Sequence, residues 1–589
     1  MPLFRRLSAL AVLLVPSAVA RATPADEAFR AIYEQEWAWR LADAPQFATG
    51  VGVHDYDDRL GHVDAKSQAA RLAYLTEVSR RLDALDVAAL SPAEQVNHAV
   101  YREQIGNLVA DLRLHEYLMP MTSDSSFYAD LAFLPQAHPF ASVHDYENYL
   151  ARLAAIPAYF DEHIALLRQG VREGRTLPRA VLEGRDRPIR DVAELKDPEA
   201  SVFYAPFKSL PETIPATEAE RLRRAGARVI REAVVPAYAK LLKYFDGEYV
   251  PYARRTLAAS ALPDGKAYYR QQIREYTTLD MTPEAIHALG RREVARLRDE
   301  MQAVLREAKF DGDLAAFIAF LRRDPQFYAK TPDELLLRAR DIAKRIDGRL
   351  PAFFGRLPRL PYGVEPVPDA IAPFYTGGRY VPAAGGSTQA GTYWVNTYDL
   401  PSRPLYVLPA LTLHEAVPGH HLQIALAAEQ GEQPPFRRYG YISAYGEGWA
   451  LYAEHLGIEM GLYRTPYEHF GRLTYEMWRA CRLVVDTGIH ALGWTRDEAI
   501  AFLRDNTALS EHEIGTEVDR YISWPGQALA YKLGELKIRE LRERAESALG
   551  PRFDRRAFHD AVLAPGSVPL PVLEKHIDGW IAASRTQAE

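Results

Sequence analysis

A single cysteine, Cys481, stands in a chain of 589 residues. An internal disulfide is thereby excluded, and a fold of this size has to be held by its core. Beyond the first residues no apolar run approaches the roughly 20 needed to span a bilayer. Basic excess is missing too: the formal net charge is −7 and the pI about 6.2. No electrostatic footprint for nucleic acid results. Neither a solenoid-type repeat nor a low-complexity tract is found. The 33 tyrosines are scattered, which fits a large core and a polar-aromatic cleft rather than a base-stacking platform.

The N-terminus has the pattern of a secretory signal. Arg5 and Arg6 form a positive start, Leu7 to Val15 an apolar stretch, and Ala18-Val19-Ala20 a small-residue cleavage site, with Ala20-Arg21-Ala22 as an alternative. The apolar stretch is too short for a membrane helix and meets Pro16. No lipobox-type cysteine follows it. The expectation is a signal peptide over 1–20 and an exported mature chain, periplasmic or secreted, with no membrane span.

Helical signals dominate from Asp26 onward. Phe29, Ile32, Tyr33 and Trp37 recur at helical spacing, and Ser91-Pro-Ala-Glu94 reads as a capping box with proline at the first helical position. The same device recurs at Thr331, Thr465, Thr495 and Ser510, and Thr282-Pro283 opens a further helix. These starts predict a mainly α protein. Leu357 to Thr388 is rich in Pro and Gly, with Gly377-Gly378 and Gly385-Gly386, and reads as loop and short strand. Gln389 to Tyr398 is the strongest strand, and its edge is a candidate for holding an extended peptide.

Chemistry concentrates in Leu411 to Ala428, which reads as one helix apolar on nearly every side. It nevertheless carries His414, Glu415, His420 and His421. Burying such groups is costly unless something compensates, and a metal ion would. Zinc peptidase helices carry His-Glu-x-x-His, with both imidazoles on one face and the Glu beside a metal-bound water as general base. Here the second histidine is displaced. In a straight helix His420 lies off the face of His414, and His421 lies about 10.5 Å along the axis. Pro418 removes an N–H and crowds the His414 carbonyl, so a bulge or kink is expected there. A two-residue bulge returns His420 to the ligand position, which favours His420 over His421 as second ligand.

Catalytic zinc takes three protein ligands and leaves one place open. Glu447 and Glu454 are seven apart and share a helix face with Ala450 and Leu451. Glu447 is the expected third ligand, and Glu454 the partner of a ligand histidine. His115-Glu116 and Glu511-His512-Glu513 also pair His with Glu, but no suitably spaced histidine follows; both read as solvated helix faces.

His414-Glu-Ala-Val-Pro-Gly-His-His-Leu-Gln423, Gly391-Thr-Tyr-Trp-Val-Asn-Thr397, Glu447-Gly-Trp-Ala-Leu-Tyr-Ala-Glu454 and Tyr521-Ile-Ser-Trp-Pro-Gly-Gln-Ala-Leu-Ala-Tyr531 resemble the bacterial family catalogued as domain of unknown function 885. The resemblance covers essentially the whole mature chain. That family looks like a distant relative of the gluzincin metallopeptidases, including thimet-type oligopeptidases and thermostable carboxypeptidases. The resemblance implies one helical catalytic domain over 21–589, with an N-terminal lobe to about 350 and a zinc-site lobe over 351–589. It also implies a deep cleft, with a small sheet beside the zinc helix. In those relatives a tyrosine from a late helix donates to the oxyanion; Tyr531 is the choice here and Tyr521 the reserve.

The expected activity is zinc-dependent hydrolysis of short peptides, with His414, His420 and Glu447 as ligands and Glu415 as base. A non-haem iron enzyme using the same triad and a catalytically silent binding protein are the alternatives.

Overall fold

Helices begin at the residues that can cap them. Ser91, Thr282, Thr331, Thr465, Thr495 and Ser510 each accept a hydrogen bond from the backbone N–H three residues on. Of these six, the reciprocal box closes at Thr465 and Thr495, where Glu468 and Glu498 reach back to the cap. At Thr331 the glutamate overshoots, and Glu334 accepts instead from the Lys330 N–H at 2.9 Å. The computed structural model describes residues 22–123, 125–369, 372–383 and 389–586. The expected signal segment and Gly385-Gly386 lie outside these. The chain is mainly α, as its capping signals predict.

One small sheet occurs among the described residues, formed by β1 (Tyr362–Pro366), β2 (Gly378–Val381) and β3 (Gly391–Val395) in the order β1-β3-β2. β3 pairs parallel with β1 (Val364 opposite Tyr393) and antiparallel with β2 (Tyr380 opposite Tyr393). The strongest strand of the sequence is therefore the central one and offers no free edge. Its β-branched and aromatic residues mark burial between two neighbours, and the edge it was expected to present belongs to β2. Each outer edge has one main-chain group bonded to a helix side chain: Arg340 Nε donates to the Val364 carbonyl at 3.0 Å, and Glu415 Oε2 accepts from the Tyr380 N–H at 2.8 Å.

Six helices frame the site: α1 (Leu408–Glu415), α2 (His420–Ala428), α3 (Ser443–Glu459), α4 (Pro466–His490), α5 (Glu511–Ser523) and α6 (Ala530–Leu549). Two large hydrophobic clusters each draw on residues from both sides of position 350. One joins Phe160, Tyr238 and Leu297 to Met477 and Val484; the other joins Phe29 and Tyr101 to Trp449, Ile538 and Ile577. The helix Pro283–Glu307 lies against α4 so closely that a Cβ at Gly290 would stand 2.7 Å from Leu483 Cβ. Helices α3 and α6 meet at a second glycine contact, where a Cβ on Gly448 would reach the Gly534 backbone at 2.5 Å.

Candidate metal centre

The expected single helix over 411–428 is two helices. α1 stops at Glu415, the chain crosses Ala416 to Gly419, and α2 starts at His420. Pro418 cannot donate to a helical ladder, and Val417–Pro418 is cis. Gly419 passes so close to the His414 carbonyl that any Cβ would collide with it. The crossing is held by hydrogen bonds: Trp449 Nε1 donates to the Pro418 carbonyl at 2.7 Å, and the His421 N–H to the Ala416 carbonyl at 3.0 Å. A break therefore does what a bulge was expected to do. It turns His420 towards His414, their rings edge to face with centroids 4.8 Å apart.

Helix α3 supplies the third group. Glu447 Oε2 lies 3.5 Å from both His414 Nε2 and His420 Nε2, and the three ligand-type atoms fall within 4.8 Å of one another. Two turns on, Glu454 Oε1 accepts from His414 Nδ1 at 2.8 Å, so the other ring nitrogen of His414 faces Glu447. His421 is turned away; its Nδ1 meets the Tyr380 hydroxyl at 3.0 Å. The geometry thus brings His414, His420 and Glu447 together and leaves His421 out.

The electrostatics are those of closely packed opposite charges. Burial works against a charged His414, but hydrogen bonds to Glu447 and Glu454 outweigh it and push the imidazole up to about 10. Burial would raise the Glu447 carboxyl, yet His420 and His414 hold it well below the usual carboxylate range. The donor set fits zinc. Donors about 2.0–2.2 Å from a tetrahedral centre stand about 3.3–3.6 Å from one another. The two 3.5 Å separations fall in that range, and two imidazoles with a carboxylate are one of the donor sets found at catalytic zinc.

Glu415, next to the first histidine, is oriented by its bond from Tyr380 N–H and lines an adjoining cavity. Tyr531 lies beneath the Arg482 guanidinium, 4.4 Å from its ring, and near enough to Tyr441 to help raise that hydroxyl's pKa. The Tyr521 hydroxyl is fully engaged: it donates to Glu517 Oε2 at 2.6 Å and accepts from Arg482 Nε and Trp478 Nε1 at 3.0 Å each. Of the two tyrosines, Tyr531 is the one whose hydroxyl is left for other work.

Three residues at the site escaped the sequence reading. Tyr441 donates to Glu447 Oε1 at 3.3 Å, Tyr380 holds both Glu415 and His421, and Trp449 anchors the Pro418 carbonyl. Trp449 carried a signal, since it lies two residues after Glu447 in an apolar helix. Tyr380 and Tyr441 sit in a short strand and a loop, where no periodicity marks them.

The two His–Glu groups expected on solvated helix faces depart from that reading at Glu116 and at Glu513. The helix Pro92–Arg113 ends before His115, which adopts a left-handed conformation (φ 59°). Glu116 turns inward to meet Asp111 and Glu275. Burial, added to by mutual repulsion, pushes Asp111 and Glu116 up to about 8 and Glu275 up to about 7. In the second pair Glu511 and His512 are exposed as expected, but Glu513 faces the cavity beside Glu415, and burial pushes it up to about 7.

Two solved structures share this fold. One, of a Colwellia psychrerythraea protein described as a "putative lipoprotein", is 27% identical and superposes with a TM-score of 0.87 over 95% of this chain and 100% of its own. The other, a Shewanella oneidensis protein described as a "putative lipoprotein of unknown function", is 19% identical with a TM-score of 0.69 over 93% of this chain and 99% of its own. No curated protein matches. The family described as "Bacterial protein of unknown function (DUF885)" matches residues 45–577, and the chain belongs to it.

Proposed function

We propose that this protein is a zinc-dependent peptidase of short peptides, distantly related to the gluzincins. The observation that carries the reading is the meeting of His414 Nε2 and His420 Nε2 on Glu447, with Glu415 directly beside the first ligand. A zinc ion held by these three residues supplies Lewis acidity for an attacking water and for a peptide carbonyl. Glu415 Oε2 is occupied by the Tyr380 N–H, which leaves Oε1 to take the proton of the attacking water and return it to the leaving amine. Tyr531 donates to the oxygen that gains charge on the carbonyl. Gly378, two residues before Tyr380 in β2, directs its main chain to the same side and lines the cavity beside Glu415, where it can pair with an extended substrate. The apolar N-terminal stretch, together with the description of the 27% identical Colwellia psychrerythraea protein as a "putative lipoprotein", supports a location outside the cytoplasm.

The decisive experiment pairs elemental analysis with digestion of a peptide library. Wild type should carry about one zinc per chain and cleave, with cleavage lost on chelation and restored by zinc. Glu415→Gln should keep the zinc and lose cleavage. Stoichiometric iron in place of zinc, or a zinc-loaded wild type that cleaves nothing, would overturn the proposal.

A further inference from the structure

Glu415 forms part of the wall of a cavity of about 360 Å3, between β2, α1, α4 and the start of α5. Its lining includes Tyr406, Tyr475 and Trp478, and two cations, Arg403 and Arg479. Arg479 is only 6% exposed and has no close counter-ion. Its nearest carboxylate oxygen, Glu454 Oε1, is 3.9 Å away and already accepts from His414. One Arg479 nitrogen reaches the Tyr475 carbonyl at a long 3.4 Å, and its Nε is buried without a partner. Its guanidinium stacks on Trp478 (4.3 Å) and Tyr475 (4.8 Å), which returns only part of the cost of burying a charge. Arg403 is under-bonded in the same way. Its Nε is buried without a partner, and Nη1 reaches the Ser402 carbonyl at 3.5 Å.

The other charges on this wall are accounted for. Arg322 directs Nε and Nη2 to the carbonyls of Thr507, Ala508 and Leu509. Glu511 is clamped by Arg504 through bonds of 2.8 and 2.7 Å, and Glu415 is held by the Tyr380 N–H. Glu513 remains, and burial pushes its carboxyl up to about 7, so it is partly neutral at physiological pH. Two guanidinium groups with unused N–H edges therefore face this space, and neither Glu415 nor Glu513 is hydrogen-bonded to them. A planar fork of that kind matches a carboxylate. The volume lies near the lower limit of about 300 Å3 for small-ligand pockets, room for a chain end rather than for a continuing chain.

We infer that this cavity binds the C-terminal carboxylate of a peptide, with Arg403 and Arg479 as its partners, so that residues are released from the carboxyl end. This rests on the hydrolytic reading above and names its substrate class. Calorimetry on the full-length wild-type protein should show 3-phenylpropanoate, which has no peptide bond, binding at least tenfold more tightly than 3-phenylpropanamide. That preference should vanish in Arg403→Gln and in Arg479→Gln, with melting temperatures checked for both. Equal binding of acid and amide by wild type, or a preference that survives Arg403→Gln, overturns the inference. A second arm compares hydrolysis of peptides with free and amidated C-termini, and of peptides with Glu or Gln as last side chain. Preference for the free terminus supports the assignment; preference for the Glu side chain alone overturns it. The two readings fail separately: amides cleaved as fast as acids would remove the pocket and leave the peptidase, and acid-selective binding without any cleavage would do the reverse.

Discussion

Trp449 Nε1 donates to the carbonyl of Pro418 at 2.7 Å, joining the helix that carries Glu447 to the break that re-aims His420. Both groups are buried, so the bond has no water to replace it. Trp449→Phe leaves the carbonyl unsatisfied and should cost about 1–3 kcal/mol of stability. Zinc affinity should fall with it. Thermal melting with and without zinc measures both effects; an unchanged zinc affinity would show that the break holds its shape without the indole.

Gly419 is the tightest point of that break. In Gly419→Ala the added methyl collides with the His414 carbonyl, so His414 should be displaced. The variant should fold with reduced stability and bind zinc at least tenfold more weakly, as read by competition with a chromogenic chelator. Gly431→Ala, at a position open to solvent, is the control and should match wild type.

Glu454 touches His414 but not the other candidate ligands. Glu454→Gln keeps the size and loses the charge that fixes the imidazole. Zinc affinity should drop by about 10- to 100-fold, the usual cost of losing such a partner. Glu447→Ala, by contrast, should abolish stoichiometric binding.

The two late tyrosines should separate cleanly. Tyr531→Phe should lower kcat by about 100-fold with KM little changed, the signature of a donor used in the transition state. Tyr521→Phe breaks a network with Glu517, Arg482 and Trp478, and should lower the melting temperature while sparing kcat.

Asp111, Glu116 and Glu275 make stability depend on pH. Their folded pKa values, about 8, 8 and 7, lie above those of an unfolded chain, so the folded state holds protons that the unfolded state has released. Their contribution is fully present below the unfolded pKa of about 4 and is lost as pH rises through about 7 to 8. Glu275→Gln removes one of the three charges. Measured with chelator present, the melting temperature of this variant relative to wild type should rise between pH 5 and pH 9. A difference independent of pH would mean that the three carboxyls do not titrate as a group.

Helix starts were legible because a cap is local chemistry: Thr465 and Glu468 need only each other and the short turn between them. The pairing of Glu447 with Glu454 was legible for a similar reason, since seven residues along a helix fix a shared face. Less local features misled. β3 looked like an edge because its neighbours β1 and β2 carry weak strand signals, split by proline and glycine. Pro418-Gly419 announced a distortion, but whether the helix bulges or breaks depends on Trp449, thirty-one residues away. Glu116 turns inward because its helix ends early, and its partner Glu275 arrives from the distant helix Gly265–Thr277.

The meeting of Gly448 with Gly534 has a mechanical consequence. Gly448 follows the candidate ligand Glu447 directly, and Gly534 lies one turn beyond Tyr531. With no side chains between them, the two backbones touch directly, and the separation of the helices that carry Glu447 and Tyr531 is set there by main chain. One methyl group at either glycine would collide with the facing backbone and push the two helices apart, moving Glu447 and Tyr531 away from each other.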